Sequence, residues 1–154
     1  FTLATSNVNF KLNFNHPVKE LIWAAETDAW GSGGGVDLTR YTTNEDTKIL
    51  IKLNGHDRFE SQDVGYFTRY QLYKYHPNAT TRNASNNSSD HISVYSFALK
   101  PEEHQPSGTC NFSRIDNAEL LISPSTVSNT LNVYAVNYNV LRIMSGMGGL
   151  AYSN

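Results

Sequence analysis

Residues Gly146-Met147-Gly148-Gly149-Leu150-Ala151 follow the apolar run Val140-Leu141-Arg142-Ile143-Met144. G-x-G-x-x-A behind a strand is the spacing that seats a dinucleotide pyrophosphate on helix N-terminal amides. That chemistry needs a helix after the glycines and an acidic residue about 20 positions further on. Here Tyr152, Ser153 and Asn154 follow Ala151, so the βαβ context is missing. The expectation is a turn-rich tail packed on its parent domain. A second glycine cluster, Gly31-Ser32-Gly33-Gly34-Gly35, lacks the Lys-Ser/Thr ending of a phosphate loop and reads as a turn. No bound cofactor is expected.

The other reactive residue types are scattered. Cys110 lies in Gly108-Thr109-Cys110-Asn111, which matches neither of the short signatures of cysteine nucleophiles, and it reads as a packed, inert thiol. One cysteine excludes an internal disulfide and fits folding in a reducing compartment. The histidines His16, His56, His76, His91 and His104 offer no H-x-H or H-x3-H pair, so no metal site is expected. Glu102 and Glu103 would need to face each other across about 5–9.5 Å to hydrolyse a glycoside, and a solvated loop is the simpler reading. Nine Tyr, seven Phe and two Trp could line a sugar-binding face or fill the space between two sheets. No catalytic residue is assigned. Sequons at Asn78, Asn83, Asn86, Asn87 and Asn111 are candidate glycosylation sites, although polar loops generate such triplets by composition alone.

The elements that would position these residues are strands. Asn7 to Phe14 alternates strictly, with Val8, Phe10, Leu12 and Phe14 on one face. Pro17 predicts a bulge or break, after which Val18 to Ala25 resumes as an extended run around Trp23. Residues 26–46 read as a loop. Thr47 to Leu53 alternates again and ends at Asn54-Gly55, a tight-turn signal. Ser61 to Tyr75 predicts the one helical stretch, with Val64, Phe67 and Tyr70 at i+3 spacing. Residues 78–90 have no large apolar side chain and predict a solvated, mobile loop that a protease would nick near Arg82.

His91 to Leu99 predicts a strand whose apolar face switches, which implies a central strand covered on both sides or a bulge. Pro101 and Pro106-Ser107-Gly108 predict turns. Ala118 to Ser123 is a short strand, and Thr130 to Met144 predicts two segments about a bulge near Asn137-Tyr138-Asn139. The sum is an all-β, antiparallel β-sandwich, with Phe10, Leu12, Phe14, Trp23, Ile51, Phe97 and Leu131 as its core.

The 154 residues suit one domain, 1–154, which at this size buries about 68–70% of its unfolded surface. A net charge of −2 gives no electrostatic footprint for direct nucleic-acid or anionic-membrane binding. The apolar runs are far shorter than a bilayer span. Phe1 is not an initiator methionine, so a fragment is expected.

Four stretches carry a resemblance: "FNHPVKELIW" (14–23), "LNGHDRF" (53–59), "VYSFALKPEEHQPSGTCNFSRIDNAEL" (94–120) and "LNVYAVNYNVLRIMSGMGGLAYSN" (131–154). In this order they closely resemble the C-terminal part of major capsid proteins of nucleocytoplasmic large DNA viruses, especially algal-virus and iridovirus-like members. "SGMGGLAYSN" looks like the family's C-terminal end. The resemblance implies a viral jelly roll, the second barrel of a double jelly-roll subunit, with its first strand missing before Phe1. It further implies homotrimers forming pseudo-hexagonal capsomers of an icosahedral shell, in contact with neighbouring capsomers and minor capsid proteins. An inner viral membrane would lie nearby without insertion. The location implied is the virion capsid, after synthesis in the host cytoplasm. Segments 26–46, 78–90 and 124–130 depart most from the shared pattern. The competing readings are a carbohydrate-binding β-sandwich on a virion or cell surface and a jelly-roll metal enzyme.

Overall fold

The computed structural model describes residues 8–26, 47–78, 92–123 and 130–152. Along the chain the strands are β1 (Val8–Lys11), β2 (Pro17–Glu26), β3 (Lys48–Leu53), β4 (His56–Asp57), β5 (Gln62–Asp63) and β6 (Ile92–Ser96). Then follow β7 (Cys110–Asn111), β8 (Ala118–Ser123), β9 (Thr130–Asn137), β10 (Leu141–Met144) and β11 (Met147–Leu150). A π-helical turn (Tyr66–Tyr70) runs into the short helix α1 (Gln71–Tyr75).

Two antiparallel sheets face each other, as the alternation predicts. In one, β8 lies between β1 and β3, and β3 also pairs with β4 and β5. The register sets Phe10 opposite Leu120 and Leu120 opposite Ile51, and all three are buried. In the other, β2 is central: β9 runs along one side, and β6 then β7 share the other. Val18, Leu21 and Trp23 of β2 are fully buried, and Trp23 packs 5.3 Å from the ring of Phe67. Leu131 is buried too, while Phe14 and Phe97 are only partly covered and meet the Phe112 ring edge-on. Among the described residues β9 pairs with β2 alone and so forms an edge of this sheet.

The first ladder is shorter than the predicted strand. Pairing stops at Lys11, although the Leu12 N–H still donates to the Ala118 carbonyl at 2.8 Å and Leu12 stays buried. The chain turns at His16, whose positive φ of 67° ends extended geometry before Pro17. The expected bulge follows, because the β2–β9 register shifts between Val18 and Glu20. The Lys19 carbonyl there accepts the N–H groups of Phe97 and Ala98. Asn54-Gly55 (φ 52° and 79°) joins β3 to β4 with the left-handed pair a two-residue hairpin requires.

Three expectations need correction. Tyr70 does not face the core; Phe67, Thr68 and Gln71 do. A π turn closes i→i+5 bonds, so the residue sharing Phe67's face falls at i+4 rather than i+3. The strand from 92 is covered on both faces at Ser93–Ser96, but it pairs with β2 alone. Coverage comes from the helical segment packed on it, not from a central position. It also ends at Ser96, which leaves Leu99 exposed. Lastly, residues 141–150 do not form a tail packed on the domain. They form a separate two-stranded hairpin, turned by Ser145 and Gly146 at φ 51° and 79°.

The registers give the sandwich a polarity. Glu26 faces Thr130, Ala24 faces Ile92, and in the other sheet Lys48 faces Ser123. These strand ends gather at one end of the sandwich; segments 27–46, 79–91 and 124–129 lie outside the described residues. The β1–β2 turn, the β3–β4 hairpin, residues 97–109 and the β10–β11 hairpin belong to the opposite end.

Candidate functional site

The glycine motif is not a phosphate cradle. Gly146 supplies the second left-handed residue of the β10–β11 turn, and Gly148 and Gly149 sit within β11 opposite Ile143 and Arg142. A nucleotide loop would open a helix at this point, whereas here the chain doubles back. The signal available in the sequence was Ser145-Gly146, a turn dipeptide between apolar runs. Gly31 to Gly35 lies outside the described residues.

The histidines are dispersed. His16 is buried, its backbone N–H donating to the Ser113 hydroxyl at 2.9 Å. His56 and His104 are exposed at separate turns, and His91 is outside the described residues. His76 has acidic partners: Nε2 is 2.9 Å from Glu20 Oε2, and Nδ1 is 3.1 Å from Glu102 Oε1. Each carboxylate meets a different ring nitrogen, so the three groups clamp the end of α1 to β2 and to the loop after β6. They do not converge on one point. Among the described residues no group of three or more His, Cys, Asp or Glu is placed to hold a metal ion. Glu103 pairs with Lys100 at 3.0 Å, so Glu102 and Glu103 meet two separate partners rather than forming one acid pair.

Cys110 is half-buried against the core. Burial pushes its thiol above the usual range, and the Arg58 charge only partly offsets this. A thiol held protonated is a poor nucleophile. Among the sequon asparagines, Asn78 and Asn111 are exposed, whereas Asn83, Asn86 and Asn87 lie outside the described residues. The Asn111 side-chain carbonyl accepts the Ser113 N–H at 3.1 Å, capping a 3-10 turn.

What stands out is apolar surface at the hairpin end. All eight residues of β10 and β11 are exposed. Leu141, Ile143, Met144, Met147 and Leu150 keep between 55% and 74% of their surface accessible. Alternation places Leu141, Ile143 and Leu150 on one face and Met144 and Met147 on the other, with Arg142. The base of the hairpin is closed on itself, where the Ala151 N–H donates to the Val140 carbonyl and the Asn139 amide to the Tyr152 carbonyl. Beneath that base lies a cleft of about 320 Å³, lined by residues including His16, Asn111, Tyr138 and Tyr152. Sequence reasoning took these apolar residues for packed ones, since hydrophobicity alone does not say what covers a side chain.

Residues 2–149 match the family described as large eukaryotic DNA virus major capsid protein. The chain is 51% identical to the major capsid protein of Pyramimonas orientalis virus, an alignment covering 97% of this chain and 40% of that protein. It is 40% identical to the major capsid protein of Paramecium bursaria Chlorella virus 1, covering 95% of this chain and 43% of that one. A chain of the PBCV-1 virus capsid superposes with a TM-score of 0.72 at 36% identity, over 99% of this chain and 48% of that one. The chain thus spans rather less than half the length of these relatives, and its two sheets are those of a jelly roll. With a family match across nearly its whole length, the chain belongs to the major capsid proteins of large eukaryotic DNA viruses.

Proposed function

We propose that this chain is the second jelly roll of a double-barrel capsid subunit, and that it works by packing against copies of itself rather than by catalysis. The observation that carries this reading is the combination of a jelly-roll sandwich with 51% identity to a major capsid protein over 97% of the chain. The first barrel belongs to the part of the relatives' length that this chain does not span. Three subunits, with six barrels, form a pseudo-hexagonal capsomer of an icosahedral shell in the virion. Neighbouring capsomers and minor capsid proteins are its partners.

The polarity of the sandwich supports an orientation. The end at which Glu26, Ile92 and Thr130 lie faces outward, since the sequence before Ile92 is polar and carries sequons. The opposite end, with its bare apolar hairpin, faces the interior of the assembly.

Sedimentation of the full-length protein, followed by electron microscopy, tests the reading. Discrete trimers with a pseudo-hexagonal outline are expected. A full-length protein that stays monomeric at capsid-forming concentrations overturns it.

A further inference from the structure

We infer that Asn54-Gly55 is a latent modification site, kept intact by a latch that joins the β3–β4 hairpin to the residues before β8. It is the one Asn-Gly pair in the sequence. A glycine after asparagine presents a backbone nitrogen unhindered by a Cβ, and that nitrogen can attack the asparagine side-chain carbonyl. The N–Cγ bond forms, the Cγ–Nδ2 bond breaks, and the Gly55 amide proton leaves with Nδ2 as ammonia. Water, the one co-reactant, then opens the five-membered succinimide at either carbonyl. The products are aspartate and isoaspartate.

Two features of the folded chain oppose the first step. Asn54 and Gly55 have φ of 52° and 79°, and positive values at both central residues mark a type I′ turn. That turn mirrors type I, so ψ of Asn54 is about +30° and the Gly55 nitrogen lies across the Cα–C bond from the side chain. Ring closure needs the two on the same side. A type II′ turn would bring them together, but its second central residue has a negative φ. The side chain is pinned as well. Its carbonyl oxygen accepts the backbone N–H groups of Asp116 at 2.9 Å and Asn117 at 3.1 Å. The Asn54 N–H in turn donates to the Asn117 carbonyl at 2.7 Å.

Two N–H donors on a carbonyl oxygen would also stabilise the oxyanion of a tetrahedral intermediate. Geometry decides between the effects, because such donors do nothing for a carbonyl that its nucleophile cannot reach. Reaction therefore waits for the hairpin to open. Strand β4 has two residues, paired as Lys52–Asp57 and Leu53–His56, so it opens locally at a lower free energy than the whole domain. Once isoaspartate forms, the main chain runs through one additional carbon, and the two-residue turn cannot re-form in the β3–β4 register. The site thus records the time a subunit has spent open. This holds whichever surfaces the rest of the subunit covers, since every donor and acceptor of the latch lies in this chain.

The test incubates the full-length protein, folded and in urea at the same pH, and follows Asn54 by peptide mass mapping with isoaspartate detection. Conversion in urea is expected, with the folded protein slower by about tenfold or more. Hydrogen exchange supplies the second measurement. The Asp116 and Asn117 amides should be protected by the same factor, within about threefold, because one opening releases both. Equal conversion in the folded protein and in urea would overturn the proposal. So would faster conversion when folded, the mark of the two N–H groups acting as an oxyanion hole. No conversion in urea removes the site itself. A mismatch of the two factors, such as Asn54 intact while the Asp116 and Asn117 amides exchange freely, removes the latch.

Discussion

The side-chain carbonyl of Gln71 accepts the backbone N–H of Ser96 at 3.3 Å, while its amide donates to the Tyr66 hydroxyl at 2.8 Å. A residue of α1 thus occupies a backbone group at the end of the edge strand β6. Exposed strand edges invite pairing with other chains, and covering them with a helix is one way to prevent it. Both Gln71 and Ser96 are buried. Gln71→Ala should leave that N–H unpaired and lower unfolding stability by about 1–3 kcal/mol. Urea denaturation measures this, and an unchanged midpoint would show that solvent replaces the contact.

Glycine substitutions should divide by sign. Gly65 has φ −58° with open space around its Cβ position, so Gly65→Ala is expected to stabilise by up to about 1 kcal/mol through helix propensity. Gly55→Ala should destabilise, since φ there is +79°. At Gly108 a Cβ would meet the Phe97 carbonyl oxygen at 2.9 Å as well as a φ of +146°, so Gly108→Ala should be worse still. Thermal unfolding of the three variants gives the order directly.

Glu20 is 6% exposed and is hydrogen-bonded to the His76 ring at 2.9 Å. Removing the ring leaves a buried carboxyl group without a hydrogen-bond partner, at a cost of about 1–3 kcal/mol. His76→Ala should approach that range, and adding Glu20→Gln should recover part of the loss. A double variant no better than the single would mean the packing of the ring matters more than its hydrogen bond to Glu20.

Stability should fall on the alkaline side. Burial raises the Tyr95 hydroxyl above its ordinary value of 10.0 and the Cys110 thiol above 9.0. In both cases the folded state holds its proton more tightly than the unfolded chain. Their contribution is therefore complete below about pH 8.5 and is lost as pH climbs through the raised values. Tyr95→Phe with Cys110→Ala should flatten this limb of a stability–pH curve.

Much of the fold was legible because its signals are local. Asn54-Gly55 and the alternation of Thr47 to Leu53 are statements about φ angles and side-chain period, and both appear where expected. What escaped depended on distant partners. Gln71 is polar and therefore reads as surface, yet the Ser96 backbone and the Tyr66 hydroxyl make it a buried residue. Tyr70 was placed by α-helical spacing that a π turn does not keep. The end of the chain reads as a turn-rich tail packed on its domain, and the exposure of residues 141–150 became visible only once the sandwich closed without them.

The pairing of β2 with β9 has a consequence for how the protein is made. β2 occupies residues 17–26 and β9 residues 130–137, and β1 waits in the same way for β8. At about 5–20 residues per second of synthesis, β2 emerges roughly 5–20 s before its long partner exists. For that interval Leu21 and Trp23, fully enclosed in the finished domain, belong to a nascent chain with half a sheet. Pairings this distant in sequence fold slowly because the loop must close before any contact repays it. The domain is therefore expected to close late, as one cooperative event after β9 has been made, and to depend until then on whatever shields nascent chains in the cell.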